Sequence, residues 1–353
     1  MQTPTGGYGY ARAVIAEAAG ALTHLALPKG LGPNPDDALV SETLAALATV
    51  TADRALIIDG LALGTLPAGG LRGLDPPLVG LVHHPLALEY GLEDTDRDWL
   101  TSNERQALAQ CAHVITTSHT TARTLIADYH VPALRLTVAA PGTPRPGNPP
   151  APPTVEDAQR ETPGETRHGA SLRLLSVAAV VPRKGFDTLI DALAMVEGDW
   201  HLTVIGSELR DPAHVATVKA RATERGIAAR ITWAGAVDHG AVAAAMASHD
   251  LFVLASRHEG YGMAYTEAMA AGMAVIGCAS GAVDEATCGG AFLVPPDDPA
   301  RLAGAISDLL SRPERRADYA AKACAAAATL PDWPDTWARI DAALAQIRTA
   351  GQR

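Results

Sequence analysis

The run Ser256-Arg257-His258-Glu259-Gly260-Tyr261-Gly262-Met263-Ala264-Tyr265-Thr266-Glu267 sets two carboxylates on either side of a glycine-bracketed turn. The apolar stretch 251–255 ahead of it reads as a buried strand, and Ala264 to Ala271, closed by Gly272, reads as a helix. The first amides of such a helix have no intrahelical partner and sit at the positive end of its dipole, so an anionic diphosphate is a natural guest. Gly260 and Gly262 let the backbone approach that guest. Eight positions separate Glu259 from Glu267, and a helical rise of about 1.5 Å per residue turns that into roughly 12 Å. That distance suits the span from a sugar to the ribose of the same nucleotide. Glu259 would then accept hydrogen bonds from sugar hydroxyls and Glu267 from the ribose pair. Two solvated helix-end glutamates would show the same spacing.

A second cluster, Val180-Val181-Pro182-Arg183-Lys184-Gly185-Phe186, follows a strand-like run and precedes the helical stretch Asp187 to Met195. Two cations at a strand's carboxyl end can neutralise a diphosphate leaving group without a metal. A surface Arg-Lys pair is the plain alternative. In the third, Leu81-Val82-His83-His84-Pro85, a histidine at a strand end can hydrogen-bond a transferring sugar. Neighbouring strand residues point to opposite faces, so at most one of the two serves. No Cys or further His stands at zinc-ligand spacing. The fourth, Thr3-Pro4-Thr5-Gly6-Gly7-Tyr8-Gly9-Tyr10, leads into an amphipathic helix at Ala11 to Ala19, and its glycine pair can bring amides to a phosphate or sugar. Neither the dinucleotide fingerprint GxGxxG nor the P-loop GxxxxGK[ST] occurs here, which argues against dehydrogenase and NTPase chemistry.

These clusters need elements to hold them. Apolar runs at Ala55–Ile58, Leu78–Val82, Val114–Thr116 and Leu136–Val138 alternate with helix-like Ala38–Leu47 and Glu104–Gln110. A second series runs through Leu172–Ala178, Trp200–Ile205, Ile231–Trp233, Leu251–Leu254 and Ala274–Ile276. Two βαβ series imply an α/β chain of two doubly wound parallel-sheet, Rossmann-like domains facing across a cleft, with ligands at the strands' carboxyl ends. We expect a first, acceptor domain at 1–142, a proline-rich linker at 143–170, a second, donor domain at 171–330 and a last helix at 331–353. A chain of 353 residues exceeds what one core normally supports, in keeping with two domains. The formal charge of -11 argues against a nucleic-acid partner. No apolar stretch reaches the roughly 18 residues of a membrane span. Cys111, Cys278, Cys288 and Cys324 lack pairing or metal-ligand spacing and no secretion signal precedes them, so reduced thiols in a cytoplasmic protein are expected.

Together with Gly281-Ala282-Val283-Asp284-Glu285 and Leu293-Val294-Pro295-Pro296, these clusters resemble the retaining glycosyltransferases of family 4, which have the GT-B fold. The resemblance covers nearly the whole chain and is strongest from Leu172 to Leu310. It implies that Gly6 and Gly7 border the donor diphosphate, that His83 contacts the donor sugar, and that Arg183 and Lys184 hold the phosphates. It gives Glu259 to the sugar and Glu267 to the ribose, with amides of Gly260, Tyr261, Gly262 and Met263 on sugar and phosphate and Val237 near the base. It further implies a last helix, Trp333 to Ile347, crossing back onto the first domain. The implied substrates are a nucleotide-sugar donor, UDP before GDP, and a small-molecule or glycan acceptor, with no cofactor and no metal. A nucleotide-sugar epimerase, a disaccharide phosphorylase and a non-catalytic sugar-nucleotide sensor suit the same architecture. Two departures stand out. Val177-Ala178-Ala179-Val180 lacks the arginine that the family often carries at this strand end, leaving Arg183 to replace it. The family also places a strand ahead of its glycine loop, which here lies almost at Met1.

Overall fold

The computed structural model describes residues 6–145 and 171–350, so Thr3 to Thr5 and all but 143–145 of the expected linker lie outside the described residues. The chain divides into two compact units, one of Met1–Gly9 with Thr143–Leu330 and one of Tyr10–Gly142 with Pro331–Arg353.

The smaller sheet holds β1 (Leu56–Asp59), β2 (Leu78–Val82), β3 (His113–Thr116) and β4 (Leu136–Val138), all parallel and in sequential order. Every residue of β2 and β3 is buried, as expected of central parallel strands whose connections cover the sheet. Ile58, Leu63, Leu66, Val82, Leu108, Val114 and Leu125 build its core. The helix Trp333–Ala350 packs on β3 and β4, where Thr336 Oγ1 donates to Ala140 O at 2.7 Å.

Two helices start earlier than the sequence predicts. The first begins at Gly6, not Ala11, so the glycine pair lies inside it. Tyr10, Val14 and Ala18 form a buried stripe at four-residue spacing, and burying it outweighs the roughly 1 kcal/mol that a helical glycine costs. Another runs Asp94–Ala109, not from Glu104. Its first half is too polar to show apolar periodicity, yet Asp94 and Asp96 complement the dipole of its first turn.

The larger sheet contains β5 (Leu172–Val177), β6 (Trp200–Ile205), β7 (Ile231–Gly235), β8 (Leu251–Leu254), β9 (Ala274–Cys278) and β10 (Phe292–Val294). Their order is β10-β9-β8-β5-β6-β7, with parallel pairing throughout. The chain leaves β5 toward β6 and β7, then returns to build the other half from β8. The strand order therefore reverses between β5 and β8, the place where such sheets open a crevice beyond their carboxyl ends. Pairing of β5 with β8 covers Leu174↔Leu251 and Leu175↔Phe252 and stops short of both strand ends. Ser176 Oγ, donating to Val253 O, bridges the diverging strands. Phe186, Leu189, Trp200, Phe252, Tyr265 and Ile276 anchor the core beneath.

Candidate functional site

The reversal point carries the charged residues. Just past β5, Pro182–Lys184 forms a single 3-10 turn that ends at Gly185, and just past β8 the loop from Ala255 to Gly262 leads into the helix Met263–Ala270. The Arg257 amide donates to Arg183 O at 2.8 Å, and Arg183 Nη1 donates to His258 O at 2.8 Å, so turn and loop are tied by backbone as well as side chains.

Glu259 lies at the centre, only 6% exposed. Its Oε1 accepts from Lys184 Nζ at 2.6 Å and from Ser256 Oγ at 2.6 Å, and its Oε2 meets Arg183 Nη1 at 3.4 Å. Burial alone would push this carboxyl up. The cations of Lys184 and Arg183 and the Ser256 hydroxyl outweigh it and hold the group down at about 2, so it is ionised at any physiological pH. The three charges sum to one net positive site at a crevice edge, suited to an anion.

The 281–285 motif supports this carboxylate from behind. Gly281 has φ 57° and sits so close to the Glu259 backbone that a Cβ would collide with it. Ala282 N donates to Glu259 O at 2.9 Å, and Ser280 Oγ to Ser256 O at 2.7 Å.

Gly260 and Tyr261 are buried, while Met263 opens the helix and Gly262 precedes it with no side-chain cap. Tyr265 on the first turn donates its hydroxyl to Leu254 O at 2.8 Å, fastening the helix to the end of β8. Because the helix starts at Met263, the eight positions from Glu259 to Glu267 span a loop plus one turn, and the 12 Å expectation from helical rise does not carry over. Glu267 is half-buried, and burial raises its pKa against the opposing charge of His239. Val237, two residues beyond β7, packs half-buried on the core of this sheet.

In the other unit, His83 follows β2 with its Nε2 3.4 Å from Asp59 Oδ2, at the end of β1. Asp59 Oδ1 accepts from Leu61 N at 2.9 Å, which fixes the carboxylate. Burial works against that charge, but His83 and the Leu61 amide leave the pKa of Asp59 below its ordinary value. The Tyr10 ring meets His83 edge-on with centroids 5.3 Å apart, and Thr117 Oγ1 donates to His83 O at 3.2 Å. His84 Nε2 lies 2.9 Å from Glu89 Oε1, and both histidines follow the end of β2 instead of standing on the strand. Gly6 and Gly7 form the first turn of the helix ending at Glu17.

Arg183, Lys184 and Glu259 thus come together, and His83 lies at a strand's carboxyl end in its own sheet. Two contributors were not picked out from the sequence. Arg257 lies inside the run Ser256 to Glu267 with no local sign of its role, and Asp59 carries the signal of an acid closing an apolar strand just before a glycine. Among the described residues no group of three or more His, Cys, Asp or Glu is placed to hold a metal ion, and no helix is long and apolar enough to cross a membrane. A hollow of about 370 Å³ lined by Arg72, Asp75, Pro77 and Arg135 lies at the amino ends of β2 and β3, away from His83.

Two family models match the chain: glycosyl transferases group 1 over residues 159–325, and glycosyltransferase family 4 over residues 46–144. The D-inositol 3-phosphate glycosyltransferase of Jonesia denitrificans is 27% identical over 222 residues, covering 60% of this chain and 52% of that protein. A GDP-mannose-dependent monoacylated alpha-(1-6)-phosphatidylinositol monomannoside mannosyltransferase of Corynebacterium glutamicum is 30% identical over 149 residues, 39% of this chain and 38% of its own length. The chain spans about half the length of the curated relatives it matches, such as 52% of the first. Among solved structures, the sucrose-phosphate synthase of Thermosynechococcus elongatus aligns with a TM-score of 0.77 and 21% identity, over 98% of this chain and 94% of that one. HepE of Anabaena, in complex with UDP and glucose, aligns with a TM-score of 0.69 and 20% identity, over 87% of this chain and 81% of its own. These likenesses establish the GT-B fold.

Proposed function

The chain belongs to the family 4-like glycosyltransferases of the GT-B fold, and on that premise we propose that it moves a hexose-type sugar from a nucleoside diphosphate to an acceptor hydroxyl, retaining the anomeric configuration. The observation that carries this reading is the Arg183-Lys184-Glu259 cluster at the reversal between β5 and β8.

In this reading the diphosphate lies over the Pro182–Lys184 turn and the start of the helix Met263–Ala270. Lys184 and Arg183 neutralise the charge that grows on the leaving phosphate, helped by the amides of that helix, so no metal is required. Glu259 spends Oε1 on Lys184 and Ser256. Its Oε2, met by Arg183 only at 3.4 Å, keeps acceptor capacity for a sugar hydroxyl. Glu267 takes the ribose hydroxyls, and the chain near Val237 takes the base. His83 contacts the transferred sugar, with Asp59 orienting its ring. The acceptor hydroxyl attacks on the face from which the phosphate departs and gives its proton to that phosphate, so neither glutamate becomes a covalent nucleophile.

The donor nucleotide is UDP before GDP. UDP and glucose in the HepE complex support the first, and the GDP-mannose dependence named for the Corynebacterium relative supports keeping the second. Four free cysteines agree with a reducing, cytoplasmic setting.

A panel of UDP- and GDP-sugars scored by thermal shift tests the reading, since a ligand selective for the native state raises its melting temperature. A stabilising donor, incubated with candidate acceptors, is expected to give a product of unchanged anomeric configuration by NMR. A panel in which no nucleotide sugar stabilises the protein sinks the proposal. Epimerised donor without acceptor would show an epimerase instead, and release of sugar only with free phosphate would show a phosphorylase.

A further inference from the structure

Arg257 joins several segments around the cluster through its guanidinium. Its Nε donates to Asp297 Oδ1 at 2.6 Å. Its Nη1 donates to Pro182 O at 2.5 Å and to Asp187 Oδ1 at 2.9 Å, and its Nη2 to Asp187 Oδ2 at 2.8 Å and Thr188 Oγ1 at 3.2 Å. The side chain is 13% exposed. Both Asp187 oxygens are gripped by one planar fork, an arrangement that a lysine cannot reproduce. Thr188 Oγ1 reaches Asp297 Oδ1 at 3.3 Å and closes the ring of contacts.

These partners come from three places: the turn that carries Arg183 and Lys184, the start of the following helix Phe186–Leu193, and the loop after β10. Arg257 itself belongs to the loop that carries Glu259. Its guanidinium reaches the Pro182–Lys184 turn through the Pro182 carbonyl. Its cation is also offset locally by Asp187 and Asp297, which makes it a poor extra phosphate ligand.

We propose that Arg257 is a positioning residue for donor binding: it clamps the Pro182–Lys184 turn to the Ser256–Gly262 loop, so that the two cations stand at one spacing from Glu259. The proposal deepens the function given above and rests on it. Without the clamp, each cation explores positions that no longer fit one diphosphate, and affinity and turnover fall although every group that touches the substrate remains.

The test is a double-mutant cycle on nucleoside diphosphate affinity, read by calorimetry with UDP and with GDP for the wild type, Arg257→Lys, Lys184→Met and the double variant. We expect Arg257→Lys to weaken binding about tenfold and Lys184→Met at least as much, while the double variant falls within about threefold of Lys184→Met alone, because one change acts through the other. A residue that only holds the fold would lower the melting temperature and give losses that multiply. Multiplying losses overturn the proposal, as does Arg257→Lys binding with wild-type affinity. Should Arg257→Lys fail to fold, Asp297→Asn, altering a half-exposed acceptor of the same fork, is expected to give a smaller loss of the same non-additive kind, and additivity there overturns the proposal equally. A wild-type protein that binds neither nucleotide would instead remove the donor reading and this inference with it.

Discussion

Lys184 Nζ lies 2.6 Å from Glu259 Oε1, joining the turn after β5 to the loop after β8 across the point where the strand order reverses. Their side chains are 16% and 8% exposed, so this is a largely desolvated pair. Removing one partner leaves a buried charge that the other contacts only partly offset. Lys184→Met is therefore expected to do two things at once. It lowers stability by about 1 to 3 kcal/mol, and it cuts turnover with a donor more than it raises the donor's KM. Chemical denaturation and steady-state kinetics read the two effects separately, and an unchanged kcat would remove Lys184 from the chemistry.

The same pair fixes the acid limb of stability. The Glu259 carboxyl is held at about 2 in the native protein, below its ordinary 4.5, so the unfolded chain binds a proton that the native chain does not. Its contribution is full above about 4.5 and is lost as pH falls toward about 2. Glu259→Gln should flatten the melting temperature across that window relative to wild type. Parallel acid limbs for the two proteins would show that Glu259 is not held down.

Glu267 titrates in the opposite sense. Burial raises its pKa, so it protonates at a higher pH than an exposed glutamate, and a neutral carboxyl accepts ribose hydroxyls less well. Affinity for a nucleoside diphosphate is expected to weaken on acidification, starting above the usual carboxylate range. Glu267→Ala should lose about tenfold in affinity and abolish that pH dependence. Calorimetry over a pH series settles both, and an alanine variant that keeps the wild-type affinity would take the ribose away from Glu267.

The strands were the most legible part of the sequence. Leu78–Val82, Leu136–Val138 and Trp200–Ile205 form residue for residue, and the apolar run 251–255 forms as Leu251–Leu254, because each is a short run rich in apolar and β-branched residues. Phe292–Val294 escaped notice as a strand because three residues before a proline pair carry no period. The start of Asp94–Ala109 escaped for the opposite reason, a long helix whose first turns face solvent. At the site, residue types were readable but pairings were not. Lys184 and Glu259 are 75 positions apart, and nothing in either local sequence says that each is the other's partner. Arg257 and Asp59 take their ionic partners, Asp187 and Asp297 for the one and His83 for the other, from positions that only the tertiary fold brings near.

Glu104 supplies a test of the four-stranded unit independent of any ligand. It lies on the helix Asp94–Ala109, 1% exposed, with Oε2 accepting from Leu86 N at 3.0 Å and Oε1 without a hydrogen-bond partner among the described residues. Burial pushes its pKa up to about 8, since the Leu86 amide offsets little of the cost of a charge there. The native carboxyl thus stays protonated where the unfolded one has ionised, and the native state binds more protons. Stability is full below about 4.5 and falls as pH rises toward about 8, at up to about 1.4 kcal/mol per pH unit. Glu104→Gln keeps an acceptor for Leu86 but cannot ionise. Its melting temperature should start below that of wild type in acid, because the added amide donors lack acceptors, and should hold level while the wild-type curve descends toward it. Wild-type and variant curves that stay parallel from pH about 5 to about 8 would mean that Glu104 is already ionised in the native protein.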